Sequence, residues 1–160
     1  EKINLFKNHG LKSRDNVEFL GVNSRLDALN SCILSFRLKK LKNIINKRNK
    51  NIKLYRKYIK TDKIKILMEQ KNKINSSVIF NIICERRDEL KNFLDKHNIQ
   101  TFIYYGTPLH LHKPMKKYGY KKGDFPVAEK LCSQILALPH NQYVTNDQIK
   151  FVSNKIKLFL

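Results

Sequence analysis

From Leu34 onward the apolar residues recur at alternating spacings of four and three: Leu34, Leu38, Leu41, Ile45, Ile52, Tyr55 and Ile59, with Arg48 in the one gap. That period places them on one face of a long amphipathic helix and leaves the intervening Lys, Arg and Asn turned to water. Ser24 and Asp27 stand three apart just ahead of it. In that arrangement two side chains satisfy the first amides of a helix, so the helix is expected to begin there. The pattern then changes to β-branched runs bounded by polar residues at 63–69 and 77–84, which read as strands. Leu90, Phe93 and Leu94, within 86–97, return to helical spacing, and 99–105 is again β-branched and aromatic. Strand, helix, strand is the order of an α/β or α+β unit. Residues 106–126 form a long loop broken by Gly106, Pro108, Pro114, Gly119 and Gly123, and loops of that length in compact domains are usually functional or disordered. Pro126 suits the first turn of a helix running to about 135, with Asp124 as its cap. A short apolar piece, 135–138, stops at Pro139, and Thr145 opens a last helix carrying Ile149, Phe151, Val152, Ile156 and Leu160.

The chain has 160 residues, which makes one domain or a large piece of one. At 41% hydrophobic it has material for a core, so a disordered basic tail is excluded as the whole description. Its 33 Lys+Arg against 13 Asp+Glu give a formal charge of +20, which by itself would draw phosphate backbones. The lysines are spread along the whole length, however, and no nucleic-acid-reading motif accompanies them, so a solvated basic surface is the better reading. No run reaches the roughly 18 apolar residues of a membrane span, and the N-terminus lacks a signal-peptide layout, so the expected location is cytoplasmic. Cys32, Cys84 and Cys132 are odd in number and far apart, which favours buried free thiols over a disulfide framework or a zinc site. The chain opens on Glu1 rather than methionine, and the expectation is a cut through a longer protein.

Glycine-rich nucleotide and phosphate loops and the Gly-x-Ser-x-Gly elbow do not occur. Two places carry candidate chemistry. Asn23, Ser24 and Arg25 combine an amide, a hydroxyl and a guanidinium at a predicted helix start, where free N–H groups suit a phosphate. Plain capping is the alternative, and residue type alone favours it. The second place is Tyr104-Tyr105-Gly106-Thr107-Pro108-Leu109-His110-Leu111-His112, where rings and imidazoles crowd onto the loop after a strand. His110 and His112 would point the same way if extended, but no third ligand lies near and no metal site is expected.

Several blocks, taken together, resemble a known family. These are Asn8-His9-Gly10, Gly21-Val22-Asn23-Ser24-Arg25-Leu26-Asp27-Ala28-Leu29, Ile103-Tyr104-Tyr105-Gly106-Thr107-Pro108-Leu109-His110-Leu111, Gly123-Asp124-Phe125-Pro126-Val127-Ala128-Glu129 and Ile135-Leu136-Ala137-Leu138-Pro139. In order and approximate spacing they are similar to the C-terminal portion of DegT/DnrJ/StrS-type sugar-nucleotide aminotransferases. The resemblance implies an α/β fold: the C-terminal small domain of the aspartate-aminotransferase-like fold of pyridoxal-phosphate enzymes, a long N-terminal helix plus a small sheet with flanking helices. It implies residues 1–60 as an inter-domain segment with the long helix, 61–160 as the small domain, and a large cofactor-binding domain before Glu1. It further implies a homodimer, formed through the long helix and the Asn23 region, that moves an amino group, usually from glutamate, to a nucleotide-diphosphate keto-sugar, with a 3-keto position the nearest match.

By the same resemblance Asn23 contacts the cofactor phosphate across the dimer, while Arg25, Tyr105 and His110 lie by the nucleotide-sugar pocket. The family's Schiff-base lysine, its ring-holding acid and its stacking residue would all precede Glu1. None of this chain's lysines matches, so no catalytic residue is assigned here, and the isolated chain is expected to be inactive and to bind pyridoxal phosphate weakly at most. Local departures are Asn30-Ser31-Cys32 where Gln-Ala-Ala is usual, Gly106 where proline is common, and His112 in place of a frequent glutamine. Two rivals stand beside this reading: a regulator or dehydratase of the same fold, and a small basic nucleic-acid-binding domain.

Overall fold

In the computed structural model, which describes residues 1–24, 26–67 and 75–160, the chain divides into two units, 1–42 and 43–160. The first is built on close backbone passage. Helix α1 (Lys2–Phe6) leads into a small antiparallel pair, β1 (Leu11–Ser13) and β2 (Asn16–Val17). The segments on either side then run against each other: the Val22 amide donates to the Phe6 carbonyl at 2.8 Å, His9 to Val22 at 3.1 Å and Ser24 to Lys7 at 2.8 Å. A Cβ on Gly10 would sit 1.7 Å from the Phe19 carbonyl oxygen, and one on Gly21 would sit 2.3 Å from the Gly10 nitrogen. Only glycine fits at either place, and Gly10 also has φ +75°.

Helix α2 (Ala28–Leu38) starts three residues later than the Ser24 reading. Asp27 is its cap, accepting from the Asn30 amide at 2.8 Å. A carboxylate both fills the orphan amide and complements the positive end of the helix dipole, while the Ser24 amide is already committed to Lys7. The predicted single helix is two in succession. At the end of α2 the Lys40 amide bonds the Arg37 carbonyl at 3.0 Å, a tightened turn, before α3 (Leu41–Tyr58). Lys39 keeps helical dihedrals there. One such turn rotates the chain by only about 20° per residue more than an α-helix, which a period of apolar residues does not register.

In the second unit α3 buries Asn51, Ile52 and Tyr55. The Tyr55 hydroxyl donates to the Pro139 carbonyl at 2.7 Å, Asn51 Nδ2 to the Asn141 carbonyl at 2.8 Å, and Arg48 Nε to Gln142 Oε1 at 3.2 Å. Arg48 therefore breaks the apolar stripe because it reaches the 139–144 turn. The sheet has the order β3 (Ile64–Ile66), β4 (Asn81–Cys84), β5 (Ile135–Ala137), all antiparallel, with Ile64 opposite Cys84 and Ile82 opposite Leu136. Both expected strands are shorter than read, and positions 68–69 of the first lie outside the described residues. Helices α4 (Arg87–Lys96), α5 (Pro126–Gln134) and α6 (Asn146–Phe159) complete the unit. Tyr55, Ile82, Leu90, Leu94, Leu136, Ile149 and Ile156 are fully buried at its centre.

The α6 start follows the sequence closely. Thr145 Oγ1 accepts from the Gln148 amide while Gln148 Oε1 accepts from the Thr145 amide, a reciprocal cap. Pro126 occupies the first turn of α5 as read, but Asp124 does not cap it: its carboxylate accepts from Lys121 N instead. Residues 99–105 form no strand. Phe102 and Ala137 exchange both backbone hydrogen bonds, at 3.2 and 2.8 Å, as an isolated bridge. The next rungs are missing for chemical reasons: Pro139 has no N–H, and the Ile135 amide already bonds Leu131 at the end of α5. Of the cysteines only Cys84 is buried, and burial pushes its thiol up; Cys32 is exposed on α2. Among the described residues no helix is long and apolar enough to cross a membrane.

Beside the bridge, Thr101 is 4% exposed and its Oγ1 lacks a hydrogen-bond partner. A buried unsatisfied hydroxyl costs about 1–3 kcal/mol, so Thr101→Val is expected to leave stability unchanged or raise it by up to about that amount. Urea unfolding measures this, and a loss of more than about 1 kcal/mol would show a hidden partner for the hydroxyl.

Candidate functional site

Tyr104 and Tyr105 stand exposed just beyond the Phe102 bridge, with ring centroids 5.7 Å apart for Phe102–Tyr104 and 6.5 Å for Tyr104–Tyr105. The loop that follows is not irregular throughout. Leu109–Leu111 and Lys113–Tyr118 are 3₁₀ turns, the second ended by Gly119 at φ +79°. That geometry separates the two histidines expected to share a direction. His110 is buried in the first turn and His112 is exposed beyond it, because neighbours two apart on a 3₁₀ helix do not face the same way. Among the described residues no cluster of His, Cys, Asp or Glu could hold a metal.

His110 Nε2 lies 3.0 Å from Glu129 Oε1, and its ring packs on Phe125 at 4.8 Å. The same oxygen accepts from Gly123 N at 2.8 Å and Phe125 N at 3.4 Å. The Gly123 amide holds the Glu129 carboxyl below the usual carboxylate range; His110 and Phe125 add to that, and burial opposes it. Because the native value is depressed, this carboxylate's contribution to stability is present above its unfolded pKa and is lost as pH falls through the native one. Glu129 was not singled out by sequence reasoning; its signal is a carboxylate in the first turn of a helix entered through Gly123 and Pro126.

A cavity of about 560 Å³ opens beside Tyr104, lined among others by Phe102, Phe151, Gln100, His140 and Asn141. Among the described residues its lining holds no Lys, Arg, Asp or Glu, in a chain that is 29% charged. Aromatic faces and neutral amides of this kind match uncharged ring and hydroxyl groups.

Asn23 and Arg25 belong to the first unit and Tyr105 and His110 to the second. Asn23 forms an isolated antiparallel bridge with Asn8 and is exposed; Arg25 lies outside the described residues. The N-terminus of α2 is not open to a phosphate, because the Asp27 carboxylate already fills it and is held below its usual range by the Asn30 amide. A second anion there would meet that charge. Asn23, exposed ahead of that cap, has the side-chain chemistry for an amide contact to a phosphate.

The sequence matches the DegT/DnrJ/EryC1/StrS aminotransferase family over residues 1–157, and the chain belongs to that family. It is 32% identical over 99% of its length to the pleiotropic regulatory protein of Geobacillus stearothermophilus, covering 44% of that protein. It is 27% identical over 99% of its length to the dTDP-3-amino-3,6-dideoxy-alpha-D-galactopyranose transaminase of Aneurinibacillus thermoaerophilus, covering 43%. The structure superposes on that of S. venezuelae DesV in complex with a ketimine intermediate with a TM-score of 0.92 at 26% identity, over 99% of this chain and 43% of the other. An aminotransferase of the same family from Brucella abortus gives 0.90 at 28% identity. The small-sheet α/β fold read from the resemblance is thus that of sugar aminotransferases, and the chain spans somewhat under half the length of the relatives it matches.

Proposed function

We propose that this chain is the C-terminal portion of a pyridoxal-phosphate-dependent aminotransferase that transfers an amino group from glutamate to a nucleotide-linked keto-sugar, 3-keto by the nearest match. Its place is amino-sugar and polysaccharide biosynthesis in the cytoplasm, as a homodimer. Residues 1–60 link the lobes and 61–160 form the small lobe. The observation that carries this reading is the family match over 1–157, supported by relatives named as nucleotide-sugar transaminases.

The cofactor, when bound, supplies the electron sink for amino transfer. This chain's part is recognition. Asn23 offers its amide to the cofactor phosphate of the partner subunit. By the family resemblance Arg25, Tyr105 and His110 lie by the nucleotide-sugar pocket. The exposed Tyr104–Tyr105 rings and the cavity beside Tyr104, lined by aromatic rings and side-chain amides, suit a sugar ring. The reactive lysine comes from elsewhere in the protein.

The test is transfer of label from ¹⁵N-glutamate to a dTDP-linked 3-keto-sugar by the protein expressed from its complete coding sequence. Labelled amino-sugar is the expected product. The relative named as a regulatory protein favours a second reading, a non-catalytic member of the family, and absence of label with every keto-sugar offered would support that one instead.

A further inference from the structure

We propose that His110 and Glu129 form a clasp that fixes the aromatic segment 104–107, making both positioning residues for the sugar half of the reaction, with neither touching the substrate. The inference rests on the function proposed above and names what holds that site in shape. Tyr104, Tyr105, Gly106 and Thr107 are all exposed, so the segment has little burial of its own to order it. It is held from its two ends. On one side stands the Phe102–Ala137 bridge, with both backbone bonds made. On the other, Pro108 and His110 are buried, the Leu111 amide closes a turn on the Pro108 carbonyl at 3.0 Å, and His110 Nε2 meets Glu129 Oε1 at 3.0 Å.

Glu129 is well placed for this because it sits on α5, outside the loop it holds. One carboxylate oxygen gathers His110 from the front of the loop and the Gly123 and Phe125 amides from its end, so both limbs close on one atom. The side chains are 8% and 16% exposed, which shields the pair from water. Aromatic contacts extend the seal: His110 packs on Phe125, and Phe125 meets Tyr120 edge-on at 5.5 Å. With Nε2 on a carboxylate and its ring packed against Phe125, His110 is only 7% exposed and offers little surface to a sugar. Its part is exerted on the tyrosines five and six residues upstream. A misplacement of about 1 Å in such groups can cost on the order of a hundredfold in rate.

The experiment uses the protein expressed from its complete coding sequence and loaded with pyridoxal phosphate, with the amino-donor and sugar half-reactions measured separately. His110→Ala and Glu129→Ala are each expected to lower kcat/KM of the sugar half-reaction by roughly 10- to 100-fold, with the donor half-reaction within twofold of wild type. The double variant should be no worse than the poorer single variant, because both remove one unit. Glu129→Gln keeps an oxygen for the imidazole and the two amides, so it should recover most of the loss; it also serves if the alanine variant folds poorly. Loss in His110→Ala with Glu129→Ala unaffected would mean that His110 itself contacts the sugar, and would overturn the clasp. Equal loss in both half-reactions would overturn it as well. Should the wild type show no donor half-reaction, the proposed function fails separately, and the clasp is judged by hydrogen exchange. Faster exchange of the Gly123 and Phe125 amides in His110→Ala, by tenfold or more, sustains it, and unchanged exchange refutes it.

Discussion

Leu136→Ala is expected to destabilise the second unit by about 2–5 kcal/mol and to lower its melting temperature by roughly 10 °C or more. Leu136 is fully buried on β5, where it stands opposite Ile82 of the central strand β4. Truncation at that point removes apolar contact from both the strand pair and the surrounding core, and β5, whose strand neighbour is β4, is too short to close over the space. Leu158→Ala, at a position 70% exposed on α6, serves as the comparison and should stay within about 0.5 kcal/mol. Thermal unfolding followed by circular dichroism distinguishes the two. Near-equal losses would mean that the core is not where the buried residues place it.

Self-association through α2 is the second expected result. Apart from its capping region this helix is largely apolar, yet it buries none of its residues: Leu29, Ile33, Leu34, Phe36 and Leu38 are all exposed. Monomeric proteins rarely leave such a face uncovered, and under the proposed function the occupant is a second copy meeting the first through this helix. The chain should therefore sediment as a dimer or larger at tens of micromolar, more so at high salt, where the repulsion of its +20 charge is screened. Burying a large apolar side chain stabilises by about 1.5–3 kcal/mol, so Ile33→Glu with Phe36→Glu should weaken association on the order of a hundredfold or more. A wild-type chain that sediments as a monomer and binds no dye for exposed apolar surface would count against this interface.

Local chemistry accounts for what could be read in advance. Thr145, and Pro126 ahead of an apolar run, mark helix starts by residue type at the first turn, and both elements begin where those residues place them. Features that depend on a distant partner were not legible. The run 99–105 has strand composition, but whether it pairs is decided by Pro139 and by an Ile135 amide spent on α5. Arg48 looked like a flaw in a stripe until its guanidinium was found on Gln142, 94 positions away. The same holds at the candidate site. His110 was visible as a residue type on a loop, whereas Glu129 acquires meaning only when the loop folds back over α5. Ser24 was read as a cap because a hydroxyl suits that role; the neighbouring carboxylate of Asp27 suits it better.

Under the proposed function this chain contributes recognition to a cofactor enzyme whose reactive lysine lies elsewhere in the protein. Equilibrium dialysis against pyridoxal phosphate tests it most directly, using the 160-residue chain and the protein from the complete coding sequence side by side. The whole protein is expected to retain about one cofactor per subunit and to lose affinity on Asn23→Ala, while the 160-residue chain retains none. Stoichiometric retention by the 160-residue chain alone would contradict the account.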